Sequence, residues 1–178
     1  MAFSIVKVHK EHFPALRLIG KRYTDNDRVN GAFGAKWDEW GRQDWFEKLD
    51  ALNPSFEVES GPLGLMTIGA KNHDNFTYWI GLLFPPETDA PDGFDKLDLP
   101  ESDVGVTWIY GSCANGEIFG EAPHTASYNK IQEHEPGPLN ENAGGDGVLV
   151  FFERYSPMRF DNPDEKGNVI LDYGFYIQ

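Results

Sequence analysis

The chain has 178 residues, 40 % of them hydrophobic and 14 % aromatic, which is enough to fill a sizeable interior and too apolar for a disordered polymer. Fifteen lysines and arginines stand against 29 aspartates and glutamates, and the formal net charge of -14 repels phosphate backbones and anionic lipid heads, arguing against nucleic acid or membrane partners. One cysteine, Cys113, excludes an intrachain disulfide or a thiolate metal cluster, and no apolar run approaches the ~20 residues of a membrane span, so a cytoplasmic protein is expected.

The N-terminal part reads as β-rich: FSIVKV, then FPALRLIGKRY from Phe13 to Tyr23, followed by the polar loop DNDRVNG. In AFGAKWDEWGRQDWFEKLDALNP, residues Phe33, Trp37, Trp40, Trp45, Leu49 and Leu52 fall on about half of a helical wheel. That periodicity predicts one helix, ended at Asn53 because proline at 54 disfavours helical backbone before it. Two strand-like runs follow, GLMTIGAKNH and NFTYWIGLLFPP, joined by a turn over Asn72 to Asn75.

The proline-rich, acidic segment from Pro85 to Asp103 reads as a crossover linker over residues 85–102, between pseudo-repeats of about 1–84 and 103–178. Beyond it the order recurs: strand VGVTWIYGS, a helical segment in GEIFGEAPHTASYNKIQEH, the loop EPGPLNENAGGDG, and strands VLVFFERYSP and NVILDYGFYIQ. Strand, helix, strand, strand, twice over, predicts an α+β domain of duplicated β-α-β-β units, whose sheets flank a central cleft on a pseudo-twofold axis. In the last strand Val169, Leu171, Tyr173, Phe175 and Ile177 share one face, as a packed sheet requires.

Motifs for zinc peptidases, dithiol redox chemistry, nucleophile elbows and nucleotide phosphate loops are absent from the sequence. His9 and His12 face opposite sides of a strand and read as exposed polar residues, whereas His124 and Tyr128 meet on one helix face. Asp161 to Asn168 has the composition of a calcium loop without its glycine and glutamate placement, and reads as a hairpin turn. No metal or cofactor is called for.

VLVFFERYSP poses the main question. Alternation puts Leu149, Phe151, Glu153 and Tyr155 on one face and Val148, Val150, Phe152 and Arg154 on the other. A carboxylate between Phe151 and Tyr155 is costly to desolvate unless something pairs with it. Three readings stay open: an exposed residue, a partner of a buried arginine (Arg17, Arg22 or Arg154), or the carboxylate of a pocket. Trp37, Trp40, Tyr78, Trp108, Tyr110, Phe151 and Tyr173, with His124, are the candidate lining of such a pocket, since Tyr and Trp join a large apolar body to a polar tip. An aromatic pocket with one buried carboxylate suits a flat hydrophobic, cationic or polarised small molecule.

Three passages carry a resemblance to the GyrI-like small-molecule-binding family, the effector-binding domain of drug-responsive transcription regulators: GFDKLDLPESDVGVTWIYGS, VLVFFERYSP and VILDYGFYI, with RLIGKRYT near the start. The resemblance implies a duplicated β-α-β-β (SHS2-like) fold with an aromatic cleft, and a cleft glutamate at the position of Glu153. The chain looks like a stand-alone version, lacking the basic helix-turn-helix segment of the regulators. Stand-alone members are implied to sequester toxic small molecules or to hydrolyse cyclopropane-bearing DNA-alkylating toxins. In the hydrolase case Glu153 would activate water, with Tyr155 or His124 donating to the substrate carbonyl. A third reading is an interaction module docking its acidic 85–103 loop on a basic partner such as a topoisomerase. Pairing into a homodimer is left open.

Overall fold

A computed structural model describes residues 2–135 and 137–178. The β-branched and aromatic runs form eight strands: β1 Ser4–Phe13, β2 Leu16–Tyr23, β3 Leu63–Gly69, β4 Thr77–Phe84, β5 Asp95–Leu99, β6 Ser102–Ser112, β7 Val148–Arg154 and β8 Asn168–Ile177. Helices α1 Gly34–Arg42 and α2 Trp45–Asp50 lie between β2 and β3, and α3 Glu121–His134 lies between β6 and β7. The fold is α+β, as expected, but the strands form one continuous antiparallel sheet in the order β1-β6-β8-β7-β3-β4-β2-β5, not two sheets.

Two further expectations are corrected. The segment read as a linker contains β5, which pairs with β2 through Leu16↔Leu99 and Leu18↔Leu97. The tryptophan-rich helix is broken at Asp44, whose φ of 54° is left-handed. In an unbroken helix Trp40 and Trp45, five residues apart, would diverge by about 140°. The break brings their rings to 5.5 Å, with Phe46 at 4.6 Å from Trp40, so both helices bury aromatics in one cluster.

The connections dictate the shape of the sheet. β1 and β2 stand six places apart in the strand order, ~29 Å in a flat sheet at ~4.8 Å per strand. Only Pro14 and Ala15 join them, and a joint of that length spans at most ~11 Å. β5 and β6 are likewise six places apart and joined only by Pro100 and Glu101. The sheet must therefore roll up, and it does so around the face carrying Phe13, Leu18, Leu65, Trp79, Leu99, Val106, Phe152 and Tyr176, one contribution from every strand. Phe13 on β1 lies 5.8 Å, ring to ring, from Phe152 on β7.

The helices pack on the other face, to either side. α1 and α2 cover Ile19, Tyr23, Ile80 and Leu82. α3 covers Ile109, Leu171 and Phe175 through Ile131, and the Val169–Ile177 stripe all belongs to this cluster. Gly105 makes the approach of α3 possible, because a Cβ there would stand 2.4 Å from Ile131 Cγ2, and Thr107 donates to Ser127 Oγ at 2.7 Å beside it.

Strand registers set the two halves in positional correspondence. Gly81 on β4 opposes Gly20 on β2, and Gly174 on β8 opposes Val106 on β6. Matching the two glycines, Gly81 with Gly174, brings Leu63 onto Phe152 and Gly64 onto Glu153, and aligns the joint residue Pro14 with Pro100. Gly64 and Glu153 also face each other directly across β3 and β7. The pseudo-twofold axis thus passes through this one pair.

Gly105→Ala is expected to lose about 1–3 kcal/mol of stability by overpacking. Urea unfolding measures it, and the same substitution in an Ile131→Ala background should cost clearly less.

Candidate functional site

Strand alternation aims Glu153 at the helix-bearing face, onto the midline between α1/α2 and α3. It is 9 % exposed, and among the described residues it forms no ion pair. Arg154, the candidate partner next to it, points to the opposite face. There it reaches Asp172 at 2.8 Å and Glu11 at 2.8 Å, while Arg159 bridges Glu59 and Asp172. Arg17 is engaged by Asp98 at 2.7 Å.

Hydroxyls hold the carboxylate instead. Tyr78 donates to Glu153 Oε1 at 3.0 Å, and Tyr155 donates to the same oxygen at 3.1 Å. Trp37 on α1 donates its indole N–H to the Tyr78 hydroxyl at 3.0 Å and rests its ring on Tyr155, centroids 4.6 Å apart. Phe33 stacks on Tyr78 at 4.3 Å and Phe160 meets the Tyr155 ring edge-on at 4.8 Å. Tyr173 lies directly opposite Glu153 on β8, and its proton goes to the Ile118 carbonyl at 2.7 Å. The Tyr173 hydroxyl is also near enough to the carboxylate to favour its charge, but with its proton on the Ile118 carbonyl no hydrogen bond reaches Oε2 among the described residues.

Burial pushes the Glu153 carboxyl up to about 7, against the tyrosine hydrogen bonds that favour its ionised form. Burial and the neighbouring carboxylate raise Tyr78 and Tyr155 well above the usual phenol range, so both remain donors. His124 on α3 forms the other wall, 4.5 Å from Phe151, 4.9 Å from Phe175 and 5.7 Å from Tyr173, ring to ring. Burial among these rings depresses it to about 4, so it is neutral at pH 7.

Of the residues singled out from sequence, Glu153, Tyr155, Tyr78, Tyr173, Trp37, Phe151 and His124 therefore converge on this midline. Three do not. Trp40 is fully buried under its own helix, donating to Tyr23 at 3.0 Å. Trp108 and Tyr110 project from the opposite face of β6, where Trp108 packs against the rolled core and lies 4.3 Å below the Arg159 guanidinium. Tyr110 there bonds Asp164 and accepts from Asn168 at 3.1 Å.

The residue that the sequence reading passed over is Gly64. A Cβ at this position would stand 2.3 Å from the Tyr78 hydroxyl and 2.8 Å from Glu153 Oε1. Its absence makes room for the Tyr78–Glu153 contact. An isolated glycine inside a strand marks such a close approach, and GLMTIG contains that signal. Phe33 and Phe160 were likewise passed over, since their place beside the tyrosines depends on the fold.

No family model matches the chain, and no curated protein matches it. Solved structures do. A protein of Staphylococcus aureus MU50 named for bacterial transcription regulation aligns over 97 % of this chain and 98 % of its own, with TM-score 0.64 and 15 % identity. The structure of SAV2435 bound to tetraphenylphosphonium aligns over 97 % and 94 %, with TM-score 0.66 and 15 % identity. At that identity the likeness is one of fold, and it extends over nearly the whole chain.

Glu153 and His124 should pull the pH dependence of stability in opposite directions. A carboxyl whose folded pKa is raised from 4.5 to about 7 binds more protons folded than unfolded, so its contribution falls as pH rises from 4.5 to 7. A histidine depressed from 6.5 to about 4 contributes stability that grows as pH rises from 4 to 6.5. Urea unfolding at pH 5 and 7.5 should show Glu153→Gln gaining on wild type by up to about 3 kcal/mol on going to the higher pH. His124→Phe should instead lose its advantage over that interval.

Proposed function

We propose that this protein binds a planar hydrophobic small molecule on the seam between α1 and α3, with Glu153 as polar anchor, and so protects against a xenobiotic. One observation carries the reading: a buried carboxylate without a cation, fixed at Oε1 by two tyrosines and left with an unclaimed acceptor, Oε2. A purely structural carboxylate of this burial would be expected to have an arginine, as Asp172 does. The aromatic faces of Trp37, Tyr155, Phe151 and Tyr173 supply apolar and cation–π contact around that acceptor. The overall likeness to a protein whose structure holds tetraphenylphosphonium supports a lipophilic cation as the ligand class to try first.

A second reading is favoured by the carboxyl pKa near 7, which suits proton transfer at neutral pH. For a cyclopropane conjugated to a carbonyl, Glu153 would take a proton from water while the oxygen attacks a ring carbon. The electrons of the breaking C–C bond move onto the carbonyl oxygen, which Tyr155 or His124 would stabilise and which ends protonated. The net change is addition of one water.

Wild type and Glu153→Gln, each incubated with tetraphenylphosphonium and with a cyclopropane-bearing alkylating agent, separate the readings by tryptophan fluorescence and mass spectrometry. A binder quenches with no mass change and weakens in Glu153→Gln. A hydrolase adds 18 Da in wild type only, about 18 being the mass of the water that general-base attack adds. Cation affinity should be about tenfold weaker at pH 6 than at pH 8, because only the ionised fraction of Glu153 binds. Loss of neither binding nor turnover in Glu153→Gln would remove this glutamate from the function.

A further inference from the structure

Below α2, at the strand ends where β3 begins and β4 ends, lies a cavity of about 330 Å³. Phe46, Pro54, Val58, Pro62, Leu82 and Pro157 form its apolar wall, and Glu47 and Asp50 stand at its rim. It lies at the small end of the ~300–1,000 Å³ range of ligand pockets, a size suited to one or two side chains. The flanking loops carry the most exposed large apolar side chains among the described residues: Phe56 is 95 % exposed and Met158 is 70 % exposed. A single exposed apolar residue is ordinary, but two beside an apolar cavity mark an interaction surface.

The unpaired charges at its rim are acidic. Glu47, Asp50 and Glu57 are exposed and form no ion pair among the described residues, while Lys48 is the one basic residue of the 44–58 stretch. Glu59 is turned inward onto Arg159. A second copy of the chain would bring a net charge of -14 against the same acidic rim, and an anionic membrane would be repelled in the same way.

We propose that this surface docks a basic peptide segment of another protein, with one large apolar side chain entering the cavity and Lys or Arg on either side meeting Glu47, Asp50 and Glu57. Phe56 and Met158 close over the inserted side chain, and the acidic rim selects for the flanking charge. The surface is separate from Glu153 and stands whether or not the small-molecule reading holds.

Phage-displayed random dodecapeptides, panned on wild type and counter-panned on the Phe56→Ser/Met158→Ser variant, test this. Both substitutions replace exposed side chains, and circular dichroism checks that the variant folds. Enriched peptides should carry an aromatic residue or Leu between Lys or Arg. By fluorescence anisotropy a selected peptide should bind the double variant, and a Glu47→Lys/Asp50→Lys variant, about tenfold more weakly than wild type. Glu153→Gln should bind it as wild type does. The proposal is overturned by absence of enrichment over the variant, by enriched peptides without basic residues, or by binding that survives both surface variants. It is equally overturned if sedimentation finds a dimer that Phe56→Ser/Met158→Ser dissociates, or if phosphatidylserine vesicles bind wild type and not that variant.

Discussion

Two joints of two residues each, Pro14–Ala15 and Pro100–Glu101, tie together strands six places apart in the sheet. The remaining architecture follows from that constraint. The sheet has to roll, so one of its faces becomes an interior that all eight strands fill without help from a helix. The helices are then confined to the other face, α1 and α2 over β2, β3 and β4, and α3 over β6, β8 and the exchanged β1. Between the two sets runs the seam where the halves meet, β3 against β7, closed enough to leave Glu153 only 9 % exposed. The opening strand of each half is exchanged: β1 pairs with β6 and β5 with β2, so neither half completes its sheet without the other.

A carboxylate at that seam is an expensive residue to bury, and its surroundings show how the cost is limited. Two phenol donors converge on one oxygen, and the first of them is itself held by an indole N–H from α1. This leaves the group near the midpoint of its titration at neutral pH. The neighbouring position, Arg154, shows the alternative treatment on the opposite face, where three carboxylates and two guanidiniums satisfy one another. Adjacent residues on one strand thus serve stability and chemistry separately, because alternation sends them to different sides.

Much of this was legible in the sequence, and the failures have physical causes. Glu153 stood out because a charge interrupts an apolar face, which is a local and unambiguous signal. Trp108 and Tyr110 were misplaced because the sheet is packed on both faces. Runs such as VGVTWIY are then apolar throughout, and no polar face remains to show which way an aromatic points. β5 was hidden because DKLDL is an outer strand whose charges face water while Leu97 and Leu99 turn inward. The break at Asp44 is invisible to periodicity, since a single left-handed residue redirects a helix without changing its composition. The duplication was legible in the order of elements, but which residues correspond could be read only once the registers aligned Pro14 with Pro100.

Because the pseudo-twofold axis runs through Gly64 and Glu153, any side chain there faces its own counterpart at contact distance. Had both halves kept the same acid, two carboxylates would meet and share a single proton, as paired acids in other proteins do. Glycine in one half removes that partner and gives its space to a tyrosine hydroxyl. A duplicated protein can therefore place a lone ionisable group at its centre of symmetry only by letting the two copies diverge at that position. The divergence also gives the seam a front and a back, so that a molecule lying across it meets an acid from one half and a tyrosine hydroxyl from the other.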